Sequence, residues 1–143
     1  MYLWNSQGSS GGVIGRWGHA SMTLENGTHI SWTPNDNAWW PIRSSPAREV
    51  RDLDEDIGRE KGSPDLQIRI LGLDEVAIEA WWGQFQRTHV WKTFSQNCAT
   101  TIADALGAGK APDWSVWNAN APVWSPAFVG AYARNLQRRL SGW

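Results

Sequence analysis

The stretch GHASMTLENGTHISWTP, residues 18–34, limits the fold more than any other part of the chain. Two β-prone runs, HASMTL and THISWT, flank Asn26-Gly27, a pair that favours a tight turn, so the segment is expected to form a β-hairpin. Side chains alternate along a strand, which puts His19, Ser21 and Thr23 on one face and His29, Ser31 and Thr33 on one face of the next strand. The turn decides how those faces match. A two-residue turn pairs His19 with Pro34 and brings Trp32 to its face. A three-residue turn with a bulge brings Ser31 and Thr33 beside His19 instead, and the polar surroundings it gives the imidazole favour that form.

The only cysteine, Cys98, lies in SQNCATT, at the start of the helix-spaced run ATTIADALGAG. Ser95 and Asn97 are good N-cap residues, and Gly107 or Gly109 is a natural stop. A cysteine in the first turn of a helix meets unpaired backbone N–H groups and the positive end of the helix dipole, both of which favour a thiolate. Taken alone, such a cysteine is more often a buried, inert thiol. His19 changes the balance, because a thiol hydrolase needs an activated nucleophile, a base and oxyanion donors. Cys98, His19 and the backbone N–H groups of the helix start could supply them. Ser31 and His29 are the candidates for orienting the imidazole, with Thr33 behind them.

Residues 1–143 suit a single domain, with a flexible segment at 1–12 and a long irregular excursion at 35–64. Trp39 and Trp40 are expected to anchor that excursion, and its charge run RDLDEDIGREK reads as a solvated face with no metal-ligand pattern. LQIRIL is expected as a third strand. A helix follows, with Asp74 as N-cap and Val76, Ala80, Trp81 and Phe85 on its buried face. KAPDWSVWNANAPVW reads as a loop. SPAFVGAYARNLQRRL reads as a final helix, with Ser125 as N-cap, Pro126 at the first position and a stripe of Phe128, Tyr132, Leu136 and Leu140. The fold class expected is α+β, a small antiparallel sheet carrying the histidine packed against helices.

Composition rules out some functions. The net charge of −1, with both signs mixed along the chain, gives no case for a nucleic-acid partner, and one cysteine excludes an internal disulfide or a thiolate zinc cluster. No metal or cofactor is expected. No run reaches membrane-span length and no signal-peptide pattern opens the chain, so localisation stays open between the cytoplasm and export by a non-classical secretion machine. Twelve tryptophans are mostly expected in packing, with a ligand groove as the sharper alternative.

A histidine strand, a Gly-containing turn, a second strand ending in proline, and then Asn97-Cys98 at a helix start together resemble the circularly permuted papain-like thiol hydrolases. These are the permuted NlpC-type families that include relatives of lecithin retinol acyltransferase. The resemblance covers roughly 16–34 and 93–106. It implies Cys98 as nucleophile and His19 as general base, with Ser31 at the place where the acyltransferase relatives carry a second histidine and His29 two residues earlier. It also implies a cysteine hydrolase cleaving amide bonds in peptides or peptidoglycan stem peptides. A lipid acyl hydrolase or acyltransferase is the alternative within enzymes, and a Trp-rich binding module the alternative outside them. By analogy such a domain could be a secreted effector or toxin, with an inhibitor or immunity protein as a further partner.

Overall fold

The computed structural model describes residues 1–5, 18–35 and 44–141. Its strands and helices run in the order β1 (Tyr2–Trp4), β2 (His19–Thr23), β3 (His29–Ser31), β4 (Thr33–Pro34), β5 (Ser44–Ser45), β6 (Ala47–Arg48), α1 (Leu53–Glu60), β7 (Leu66–Gln67), α2 (Glu75–Thr88), β8 (Trp91–Lys92), α3 (Cys98–Ala108), α4 (Trp114–Ala119) and α5 (Pro126–Leu140). The architecture is α+β. A four-stranded antiparallel sheet in the order β3-β2-β1-β7 carries helices, and two short pairs, β4-β6 and β5-β8, lie apart from it.

The hairpin forms with the bulged register. Ser21 pairs with Ser31, Met22 with Ile30 and Thr23 with His29. Leu24 N donates to Thr28 O, closing a loop of Glu25, Asn26 and Gly27. Gly27 has φ +93°, the left-handed conformation that a bulged hairpin turn demands and that glycine adopts without strain. One face of β2 and β3 therefore presents Ala20, Met22 and Ile30 to the main core, where Trp32, just past β3, joins them. Trp32 packs edge-on against Trp82 and Phe85 of α2, with ring centroids 5.7 and 4.8 Å away, so aromatic geometry adds to burial there.

The opposite face is polar and also buried: His19, Ser21, His29, Ser31 and Thr33 are all under 6% exposed. A buried polar face needs a polar partner, and α1 provides one for His19, His29 and Ser31. Asp52 caps α1 by accepting from Glu55 N at 2.9 Å, and acids at 54, 55 and 56 suit the positive helix end. Lys61, in the left-handed conformation, ends the helix, and Gly62 N returns to Ile57 O. Arg59 Nη2 donates to Pro34 O at 2.9 Å, tying α1 to the end of the hairpin. The charge run at 51–61 is thus a helix with one side turned inward. This corrects the expectation of a purely solvated, irregular segment.

Other elements also depart from the sequence reading. The segment expected to be flexible opens with β1, which sits between β2 and β7 and is held from both sides. Residues 6–17, and with them the rest of the expected flexible segment, lie outside the described residues, as do Trp39 and Trp40. LQIRIL gives only the two-residue β7, and the proline- and tryptophan-rich segment contains α4. The buried face of α2 is Ile78, Trp82 and Phe85, while Val76 is 81% exposed. Both stripes fit a helical period, and contact with Trp32 selects the second. On α5, Tyr132 and Leu136 are buried as expected, joined by Val129, Gly130 and Ala133, with Phe128 and Leu140 half-buried.

Helix α3 is the centre of the packing. It contacts β2 and β3 of the sheet, α2 and α5 lie alongside it, and α4 covers its end. Ala99, Ile102, Ala103, Ala105 and Leu106 have no exposed surface. Every described tryptophan is buried or half-buried, which supports packing rather than an open groove as their main role. No helix among the described residues is long and apolar enough to cross a membrane.

Candidate functional site

Cys98 is the first residue of α3, and Asn97 fixes it there. Asn97 Oδ1 accepts from Thr100 N at 2.8 Å, while its Nδ2 donates to Thr93 O at 3.0 Å and Trp124 O at 3.1 Å. One side chain thus caps α3 and ties the helix start to the chain on both sides, a contribution of about 1 kcal/mol for the cap alone. Cys98 is half-buried, so it is held in place yet open to a small reagent.

The His19 imidazole lies beside the Cys98 thiol, close enough for the thiol to favour the charged imidazole. Its Nε2 lies 3.0 Å from Asp56 Oδ1 and 3.0 Å from Ser31 Oγ, and Ser31 Oγ donates to the same Asp56 oxygen at 2.8 Å. Since Ser31's single proton goes to Asp56, the Nε2–H is shared between the carboxylate and the serine oxygen. That leaves Nδ1 as the ring nitrogen available to the thiol. The ring of Trp4, the cross-strand partner of His19, lies 5.3 Å from the imidazole and helps to shield it.

Asp56 has no exposed surface. Burial by itself disfavours its charge, but hydrogen bonds from His19, His29 and Ser31 prevail and hold its carboxyl well below the usual carboxylate range. His19 shows the complementary effect. Burial pushes its imidazolium down, yet the hydrogen bonds and charges of Asp56 and Cys98 overcome this and raise it from 6.5 to about 10. The arrangement is a thiol, an imidazole and a carboxylate in series, from α3, β2 and α1.

Of the residues expected in the site, Cys98 and His19 meet. Ser31 bonds to His19 but shares that place with Asp56. His29 does not reach His19; its Nε2 lies 2.6 Å from Asp56 Oδ2. Thr33 is buried and its hydroxyl has no hydrogen-bond partner among the described residues. His89 caps the C-terminus of α2 through its backbone N–H, away from this cluster. Asp56 is the residue the sequence reading missed. The available signal was Leu53 and Ile57, four apart, which mark an inward helix face on which Asp56 falls. The described residues include no His, Cys, Asp and Glu group spaced to hold a metal ion. Two cavities among the described residues, of about 420 and 290 Å³, are lined by neither Cys98 nor His19.

A family model described as the IcsB middle domain matches residues 35–142, and the chain belongs to that family. The match takes in Asp56 and Cys98, whereas His19 lies N-terminal to it. No curated protein and no solved structure matches the chain.

Proposed function

We propose that this domain is a cysteine-dependent acyl-transfer enzyme that opens an amide bond through an acyl-Cys98 intermediate. The observation that carries the reading is His19, buried between the Cys98 thiol and the ionised Asp56. Cys98 and His19 act as a thiolate–imidazolium pair, the proton of the thiol already resting on the raised His19 imidazole, and the sulfur attacks the carbonyl carbon. The oxyanion formed falls to the unpaired N–H groups of the first turn of α3. As the C–N bond breaks, His19 returns the proton to the leaving amine, and a thioester remains on Cys98. Water, deprotonated by His19, then releases the acid and regenerates the thiol. Asp56 holds the imidazole in the productive tautomer and stabilises its charge without taking the proton itself. The order of the parts, histidine strand before cysteine helix, fits the permuted papain-like arrangement.

A second reading keeps the chemistry and changes the acyl group to a lipid chain, with water or another nucleophile as acceptor. It is favoured by exposed apolar side chains close to the start of α3: Phe94 is 52% exposed and Val123 41%. Phe94 is four residues before Cys98, and Val123 adjoins Trp124, whose carbonyl holds Asn97. The family description points to a bacterial effector, which suits either substrate class.

Wild type and Cys98→Ala are to be incubated with purified peptidoglycan, total phospholipid and a cell lysate, followed by product and intact-mass spectrometry. The expected result is a product in one of the three that requires Cys98, with an acyl adduct on Cys98 in wild type. Identical products from both proteins in all three would overturn the reading.

A further inference from the structure

Asp56 has a second carboxylate oxygen, and the group that holds it takes no part in the steps above. His29 Nε2 lies 2.6 Å from Asp56 Oδ2, with the imidazole 1% exposed. An ionised carboxylate only accepts, so the proton in this contact belongs to His29 Nε2. The other ring nitrogen, Nδ1, lies 2.9 Å from Thr23 Oγ1, and Thr23 is the cross-strand partner of His29. Both nitrogens of His29 are therefore engaged, and the hairpin register sets the ring's orientation.

We propose that His29 is a positioning residue for the acyl-transfer reaction: its Nε2–H clamps Asp56 Oδ2, which aims Oδ1 at His19 Nε2. The inference rests on the Cys98–His19–Asp56 reading. An aspartate carboxylate turns about a soft terminal torsion, so the backbone of α1 alone does not fix which way its oxygens point. Here three donors fix it. His19 and Ser31 share Oδ1, and His29 takes Oδ2. With His29 gone, Oδ2 would be buried without a donor. The carboxylate would then turn to share the Oδ1 donors or take up a proton, and either change loosens its hold on the His19 imidazolium.

The surroundings of His29 are consistent with this role. The charged and titratable groups that face it are Asp56 from α1, Tyr2 from β1 with its ring 6.5 Å away, and Asp52 and Asp54, which line a cavity of about 290 Å³ together with His29. No lysine or arginine among the described residues lines that cavity. His29 is thus the donor on the Oδ2 side of Asp56, and His19 lies beyond the carboxylate.

The test is the rate of Cys98 alkylation by iodoacetamide against pH in four intact proteins: wild type, Asp56→Asn, His29→Leu and His29→Gln. Leucine removes the donor, while glutamine keeps an N–H near the position of Nε2. His29→Leu is expected to slow alkylation near neutral pH by roughly 10- to 100-fold, the loss of one buried charge-assisted hydrogen bond, and to shift the acidic limb of the profile as Asp56→Asn does. His29→Gln is expected to recover most of the rate. Equal losses with leucine and glutamine would show that packing alone is at work and overturn the proposal. A shifted Asp56→Asn profile beside an unchanged His29→Leu profile would overturn it too, and leave the triad standing. A wild-type profile in Asp56→Asn would instead sink the triad reading itself. Ring-nitrogen magnetic resonance of wild type gives a check free of folding effects: Nε2 of His29 is expected to carry the proton, and an unprotonated Nε2 overturns the clamp.

Discussion

Asp56 carries a charge where water cannot reach it, and three donors make that tolerable. An unpaired buried carboxylate costs several kcal/mol, so removing its partners is far more damaging than removing a surface ion pair such as Arg51–Glu55. The same donors link stability to pH. His19 has a folded value raised from 6.5 to about 10, so its contribution is complete below about 6.5 and is lost as pH rises towards about 10. Asp56 is lowered, so its contribution is present above the ordinary carboxylate value of 3.8 and is lost as pH falls through its depressed folded value. The melting temperature of wild type is therefore expected to decline on both flanks. Asp56→Asn, followed by circular dichroism across the same range, should lower the plateau and make both flanks shallower. An alkaline decline of unchanged steepness in the variant would separate His19 from Asp56.

At the scale of elements, α3 must be held rigidly, because its first residue is the candidate nucleophile. Its far end is fixed by Trp114, whose Nε1 donates to Ala103 O at 2.6 Å. A Cβ on Gly107 would lie 2.7 Å from the Trp114 ring, which that hydrogen bond keeps from moving aside. Gly107→Ala gains up to about 1 kcal/mol of helix propensity but incurs an overpacking cost of about 1–3 kcal/mol, so a net loss is expected. Gly58 on α1 is the control. A Cβ there meets nothing within 4 Å, so Gly58→Ala should raise stability by about 0.5–1 kcal/mol. Urea unfolding of both variants decides the point; opposite signs are predicted, and a stabilised Gly107→Ala would contradict the packing described.

Across the whole molecule, what could be read from the sequence follows the range of the interaction. The hairpin register and the caps at Asp74, Asn97 and Ser125 obey rules that act over a few residues, and each appears as expected. Asp56 escaped because its charge is neutralised by residues 25, 27 and 37 positions away, while its neighbours in sequence are the acids of a surface helix. Strand β1 escaped because its three residues owe their conformation to β2 and β7 on either side. The choice of buried face on α2 depended on Trp32, which no helical period contains. His19 and Cys98 were nameable from residue type and local setting, yet their contact joins β2 to α3 across 79 positions of sequence.

That contact is the central claim, and the reactivity of Cys98 tests it directly. The rate of Cys98 alkylation near neutral pH is to be compared between wild type and His19→Ala, with circular dichroism confirming that the variant is folded. If the two side chains form one reactive unit, wild type reacts fast and His19→Ala is slower by roughly tenfold or more, because the thiol loses the base that takes its proton. Equal rates in the two proteins would contradict the account.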